Sequence, residues 1–449
     1  DNWPAASRLP AWVTGCTLGE ADATIHLGWA PDALYGLVEV PEAEPSRPGA
    51  PEPERAAGPM VGIGLRVHVA EARIGSPHAF SVSDDRGVML RGDADATFVV
   101  RLEEGQVLLY TEAGELSGLA SGPLRFEAAA QPAELLVDGA RYPGAIEVRP
   151  SPKGGLNIVN RLDVETYLRG VVPLEIGHAG DYLEAAKAQA VAARTYTAGH
   201  MGQYPEEGFD LEAGVQDQVY GPLDRRHPDA DRAVEETRGL ILLHDGKPIR
   251  ANYSSTCGGV TAALEEGFHA EGVPYLRSRA DEVDGKVACR TSKYYRWEES
   301  WSGEDLQRIL GRTVPAVTGK AWAGKSLKEI KVVERGKSGR ALRLRIATEK
   351  AAYEVSKGAI RRVLLTPSGG PLWSTAFELK VKTSGGNVKR VTAKGQGWGH
   401  GVGMCQWGAM QLSRDGHGFR DILKHYYPGT ELRTWDGEFQ VTSGRQHAR

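Results

Sequence analysis

The chain has 449 residues, and at roughly 150 residues per domain that length predicts about three units and excludes one small module. Its 41% hydrophobic and 25% charged residues exclude both a disordered chain and a membrane bundle. With 54 Lys+Arg against 58 Asp+Glu the formal net charge is −4, so there is no global positive field and nucleic acid is excluded as a partner.

In chain order, residues 1–59 form an N-terminal segment that ends in a run dense in Pro, Glu and Ala (41–59), which reads as an exposed linker. Residues 60–150 carry short β-type runs (GIGLRVHV, HAFSVS, GVMLRG, ATFVVRL, QVLLYT, GPLRFEA, AELLVDG) broken by Gly, Asp or Pro, the pattern of a small antiparallel β domain. GLNIVNRL (155–162) reads as a further strand. In DVETYLRGVV, Asp163 caps a short helix that begins at Glu165 to Tyr167 and delivers the chain to Pro173. The alanine-rich stretch 181–201 is the clearest helix, with Asp181 and Glu184 in its first turn. Further on come a short helix stopped at Gly239 and two strands joined by an Asp245-Gly246 hairpin turn. A β-rich lobe is inserted at about 300–390, a glycine-alternating strand or loop leads into a helix at about 404–414, and a second short helix ends before Pro428. Residues 436–449 are a tail. These elements predict an α+β chain, β-rich and multi-lobed, with one helical segment. The high Gly and Pro counts, 56 and 25, disfavour an all-helical alternative. No apolar run nears the roughly 20 residues that span a bilayer, and no basic-then-apolar leader precedes Asp1, so the chain is expected to be cytosolic or to have lost its leader.

Three constellations carry chemistry. In GVVPLEIG, Glu175 follows two valines, a proline and a leucine, and an acid in so apolar a setting keeps its proton toward neutral pH, as a general acid must. On the alanine helix, Lys187 and Arg194 are seven residues apart and share a face, a cationic stripe suited to tuning a carboxyl; the plainer alternative pairs Lys187 with Glu184 at the surface. In GQGWGHGVGMCQWG, glycines at 395, 397, 399, 401 and 403 predict an extended chain with one bare face, the other presenting Gln396, Trp398, His400, Val402 and Met404. His400 there suits a positioning, basic, ligating or purely structural role, and Gln406 suits an acetamido group. NYSSTCGG offers Ser254 and Ser255 as hydrogen-bonding groups; with no G-x-S-x-G elbow, they read as binding or turn residues and not as nucleophiles. VQDQVYGP adds Gln216, Asp217, Gln218 and Tyr220 in a polar loop.

The four cysteines, Cys16, Cys257, Cys289 and Cys405, are too sparse for a disulfide scaffold. Three alternatives stand for the last three: a Cys257–Cys289 disulfide, buried thiols, or a zinc site completed by His400 or His269 at nonstandard spacing.

RLDVETYLRGVVPLEIG, LEAAKAQAVAARTY, DQVYG, NYSSTCGGVTAALEEGF and GWGHGVGMCQWGAMQLS, ending in ILKHYYPGTEL, together resemble the SpoIID/LytB family across about residues 155–432. The resemblance implies a catalytic domain over 151–435 whose helical segment surrounds an active-site groove. The implied activity is that of a lytic transglycosylase, cleaving MurNAc–GlcNAc strands stripped of peptide to 1,6-anhydro ends. Glu175 is then the catalytic acid, and Lys187 and Arg194 match positions lining the groove. Gln189, Gln216, Asp217, Tyr220, Ser254, Ser255, His400 and Gln406 fall to its substrate-binding walls. Two departures stand out: the family's frequent E-M-P reads E-I-G here, and its Cys/His zinc insertion after the helix is not seen, so no metal and no cofactor are assigned. Asp217 is the second carboxylate if the reaction is hydrolysis. The alternative within the family is a non-catalytic glycan-binding enhancer of a cell-wall amidase. Either way the resemblance implies peptidoglycan glycan strands as partner, a cell-wall amidase as a second partner, and export to the periplasm or cell surface.

Overall fold

The computed structural model describes residues 58–120 and 122–435, together with the backbone of two short strands nearer the N-terminus. Those two, Ile25–Ala30 and Ala33–Val38, pair antiparallel as a hairpin in a unit of their own, residues 1–56. Most of the Pro-rich stretch, Cys16 and the tail 436–449 lie outside the described residues.

The β runs after Met60 form two sheets. One has seven strands in the spatial order Leu211–Glu212, Met60–Val69, Leu156–Asp163, Ala145–Pro150, Leu124–Ala128, Phe80–Asp84 and Gly87–Gly92, antiparallel except for the short first strand. The other has six: Ala140–Pro143, Glu134–Val137, Glu71–Gly75, Thr97–Glu103, Gln106–Thr111 and Leu116–Leu119. Alternation explains the packing. Phe80 and Val82, Leu124 and Phe126, Ile146 and Val148 on the first sheet, and Ala72 and Ile74, Leu135 and Val137, Val107 and Leu109 on the second, all turn inward into one core. The strand Leu156–Asp163 is buried on both faces and belongs to this sheet while feeding directly into the first helix, so the core that begins in the β sheets continues without a break into the helices.

The helix Val164–Ile176 starts where the sequence predicts: Asp163 is extended and its side chain accepts from the Thr166 N–H. It does not end at Pro173. The proline sits inside the last turn, the Gly177 N–H closes that turn on the Pro173 carbonyl, and Gly177 adopts φ 82°, open only to glycine at low cost. Glu175 is therefore a helical residue, held in the final turn.

The alanine helix spans Leu183–His200, leaving Asp181 outside it to pair with Arg414. It is buried on nearly every face, in contact with the helices Val164–Ile176, Pro228–Glu236, Gln406–Arg414 and Phe419–Tyr426 and with the strand Leu240–His244. Alanine at 185, 186, 188, 190, 192 and 193 is what lets so many neighbours approach. The Asp245-Gly246 turn joins Leu240–His244 to Lys247–Pro248, both turn residues at positive φ (49° and 72°), as a tight hairpin requires.

A second core lies in residues 297–393. The strands Trp297–Ser302, Phe377–Ser384 and Asn387–Gly395 form one three-stranded sheet, Leu327–Arg335, Ala341–Thr348 and Ala352–Ser356 another, and the helix Gly303–Thr318 packs with them around Trp301, Leu310, Leu344, Ile346 and Val391. Among the described residues no helix is long and apolar enough to cross a membrane.

The glycine-alternating segment corrects the expectation of an extended strand. Gly397, Gly399, Gly401 and Gly403 all take positive φ, between 73° and 97°. The chain winds against residues 252–257: a Cβ on Gly397 would stand 2.5 Å from the Thr256 carbonyl, and one on Gly403 1.9 Å from the Asn252 carbonyl. What fills the bare backbone is the protein's own neighbouring strand. The segment ends in Met404–Cys405, parallel to Tyr253–Ser254, and then becomes the helix Gln406–Arg414.

Candidate active site

Glu175 is the point where four segments meet. Its Oε1 accepts from the backbone N–H of Val219 at 2.8 Å, and its Oε2 from Gln406 Nε2 at 3.3 Å. The Tyr253 hydroxyl is a third donor. Burial drives the carboxyl pKa up to about 7, against the opposing pull of these hydrogen bonds, and no charged side chain contributes to the shift. A carboxyl so placed is divided between acid and base at neutral pH.

Gln218 lies behind this carboxyl and is fully buried. Its Oε1 accepts from the Tyr167 hydroxyl at 3.2 Å and from the Thr197 hydroxyl at 3.0 Å, and its Nε2 donates to the Tyr253 hydroxyl at 3.0 Å. With its own oxygen receiving from Gln218, Tyr253 is left to donate toward Glu175. Burial and the nearby Glu175 hold the Tyr253 pKa well above that of a free phenol, so it stays a donor.

Gln406 is buried and its Nε2 also reaches Gln189 Oε1 at 3.3 Å. Gln189 is thus a partner of Gln406 inside the protein, with its own Nε2 buried and unpartnered among the described residues. Ser254 is buried, its hydroxyl without a partner among the described residues, and Ser255 is part-exposed, 3.4 Å from the Thr256 hydroxyl. Gln216 is exposed on the loop.

Several predicted residues go elsewhere. Arg194 is wholly buried in a two-point ion pair with Glu165, Nε to Oε1 at 2.8 Å and Nη2 to Oε2 at 2.6 Å, and it also caps the Leu240 carbonyl at 3.1 Å. Lys187 is clasped by Glu184 at 2.5 Å and Glu236 at 2.6 Å. The two cations share a helix face, as their spacing predicts, but they meet acidic partners, Glu184 on their own helix and Glu236 and Glu165 on neighbouring ones, and neither cation tunes Glu175. Tyr220 is a core residue: its hydroxyl bonds Asn160 at 2.8 Å and its ring packs on Tyr167 and over Gly170. Asp217 is occupied, accepting from the Tyr196 hydroxyl, Gln203 and the Glu212 N–H at 3.2, 2.9 and 2.8 Å.

His400 accepts from the Val402 N–H at 3.0 Å through Nδ1, which leaves Nε2 to donate to the Tyr253 carbonyl. Burial, with Arg361, Arg340 and Arg250 nearby, lowers its pKa to about 3. The imidazole is neutral and holds the backbone of the strand that carries Tyr253, a positioning role.

Cys257 and Cys289 are free thiols, not a disulfide: their sulfurs are 3.6 Å apart, and Cys405 is buried beside them, its Sγ 3.2 Å from the Cys257 N–H. Val219 and Tyr253 are the site groups that the sequence did not single out. A backbone N–H has no side-chain signature, and Tyr253 stood beside the serines that drew attention.

Two family profiles match the chain. One described as Stage II sporulation protein covers residues 152–244, and one described as a domain of unknown function covers residues 282–403, which contains the second core. An uncharacterized protein of Brachyspira hyodysenteriae is 32% identical over 300 residues, 66% of this chain and 73% of that protein. The amidase enhancer of Bacillus subtilis is 31% identical over 293 residues, 60% of this chain and only 40% of its own length. Stage II sporulation protein D of Bacillus amyloliquefaciens is 28% identical over 303 residues, 62% and 76% of the two chains. With the matched stretch running from the strand that feeds the Glu175 helix to the strand Leu240–His244, and with relatives of these names, the chain belongs to the SpoIID/LytB family.

Proposed function

We propose that the protein acts on the bacterial cell wall outside the cytoplasm as a lytic transglycosylase, cleaving peptide-free MurNAc–GlcNAc strands with Glu175 as its single acid and base. The observation that carries this reading is the carboxyl itself: part-exposed, without a cationic partner among the described residues, and raised to about 7. Oε1 takes the short bond from Val219 and Oε2 the longer contact with Gln406, so Oε2 is the oxygen better suited to carry the proton. It gives that proton to the bridging oxygen as the bond to the MurNAc anomeric carbon breaks. The MurNAc 6-hydroxyl attacks that carbon and returns its proton to the carboxylate, closing a 1,6-anhydro ring and restoring the acid. Val219, Tyr253 and Gln406 steady the carboxylate between the two transfers.

One-carboxyl chemistry fits better than hydrolysis because Asp217, the alternative second acid, already accepts three hydrogen bonds. A hydrolase needs a second carboxylate free to activate water. The relative named an amidase enhancer supports a second reading, in which the same surface binds glycan and assists a cell-wall amidase without cutting strands.

Mass spectrometry of amidase-treated sacculi after incubation with the protein separates the two. New 1,6-anhydro ends with the wild type and none with Glu175→Gln are expected. Their absence with the wild type, together with stimulation of an added amidase that survives Glu175→Gln, would leave the enhancer reading.

A further inference from the structure

We propose that Cys257, Cys289, Cys405 and Asp281 form a closed four-coordinate zinc site that fastens the Gln406 helix to the rest of the candidate active site. The three sulfurs and a carboxylate oxygen of Asp281 all lie within 4.8 Å of one another, and all four residues are buried. The Cys257 and Cys289 sulfurs are 3.6 Å apart, and Cys257 Sγ is 3.0 Å from Asp281 Oδ2. A tetrahedral zinc with bonds of about 2.3 Å to sulfur spaces its sulfurs by about 3.8 Å, so the donors already stand close to the edges of such a tetrahedron. Three soft sulfurs select zinc over magnesium or calcium, and four protein ligands leave no open position, the pattern of a structural ion.

The surroundings fit an ion better than a cluster of inert thiols. Asp281 is fully buried, yet among the described residues its side-chain partners are Cys257, Tyr426 at 2.8 Å and His425 at 3.3 Å, so no lysine or arginine meets its charge. Tyr426 and His425 hold Oδ1 and leave Oδ2 facing the sulfurs, which is how outer partners orient a ligating carboxylate. Backbone N–H groups of Cys257 and Gly259 point at the sulfurs of Cys405 and Cys257, at 3.2 and 3.3 Å. Three thiolates and a carboxylate around a divalent ion leave two negative charges. Arg340, buried beside them with Nη2 on the Cys257 carbonyl at 2.8 Å and two further guanidinium nitrogens unpartnered among the described residues, offsets one.

The ligands come from four separated segments: the residues after Tyr253–Ser254, the residue after Arg279–Ala280, the turn Ala288–Thr291, and the end of Met404–Cys405. Cys405 directly precedes Gln406, the amide on Glu175 Oε2. The site is distinct from the carboxyl and stands whether or not strands are cleaved. Zinc was one of the three alternatives the cysteines left open in the sequence, there with His400 or His269 as the fourth ligand and not Asp281.

The test is metal content of the full chain, purified without chelator and under reduction, by inductively coupled plasma mass spectrometry. About one zinc per chain is expected, exchangeable for cobalt(II) with a thiolate-to-cobalt charge-transfer band. Glu175→Gln should keep both signals and Cys289→Ser should lose them. If Cys289→Ser does not fold, His425→Phe, which removes only an outer partner, should fold and bind zinc roughly 10–100-fold more weakly. Wild-type protein that stays metal-free after incubation with zinc under reduction, or that binds zinc with His425→Phe unchanged and all three thiols open to alkylation, would overturn the proposal.

Discussion

The helix Val164–Ile176 carries a carboxylate near each end, and the two have opposite fates. Glu165, in the first turn, faces Arg194 across a two-point ion pair and also accepts from the Gly239 N–H at 3.1 Å. Glu175, in the last turn, has only uncharged donors among the described residues. A buried carboxylate held by a guanidinium is tied into the fold by that pair; one given amides and a phenol keeps a proton to exchange. Local sequence marks the apolar setting of Glu175 but does not name the partner that either carboxylate meets. The difference comes from which neighbour the tertiary fold supplies, a cation at one end and the DQVYG loop at the other.

Breaking either end should therefore have effects of different kinds. The largest expected effect is on turnover: Glu175→Gln should lower the rate of anhydro-end formation by roughly 10²–10⁴-fold, with an unchanged far-UV spectrum and cooperative unfolding. Arg194→Met should act on stability instead. Leaving Glu165 buried without its partner should cost about 3–5 kcal/mol in denaturant unfolding, while activity per folded molecule is retained.

The pH dependence sharpens the contrast. Because the native pKa of Glu175 lies above that of an unfolded glutamate, the native state favours the protonated form. The associated stability is present below about pH 4 and is lost as pH rises toward 7. Glu175→Gln escapes that loss, so its stability relative to wild type should rise across this window, by roughly 3 kcal/mol at most given the side chain's partial exposure. Strand cleavage by the wild type should fall as pH rises through about 7, where the acid form disappears. Gln406→Leu removes a donor that favours the anion, and should move that alkaline limb to higher pH. Smallest of all, Lys187→Met should change stability by about 1 kcal/mol or less and leave the pH profile of cleavage unmoved, since Lys187 serves Glu184 and Glu236.

What was legible in the sequence follows the same division. The Asp163 cap, the alanine helix, the Asp245-Gly246 hairpin and the apolar setting of Glu175 are local patterns, and local patterns survive folding. The Lys187 and Arg194 stripe was geometrically right, but a helix packed on nearly every side meets partners that no spacing can name, and Arg194 met Glu165. The alternating glycines misled because a bare strand face and a run of left-handed residues are written with the same letters; only the close approach of the Asn252 and Thr256 carbonyls distinguishes them. The Val219 N–H left no trace in residue type. The three thiols, up to 148 positions apart, carry no spacing that a motif could hold.

The central claim is that burial without a cation holds Glu175 near neutrality, and a carbon-13 NMR titration of the glutamate side-chain carboxyls tests it most directly, with Glu175→Gln identifying the resonance. The account predicts a midpoint near 7, well apart from the other glutamates. A midpoint in the ordinary carboxylate range of about 4.3 would contradict it.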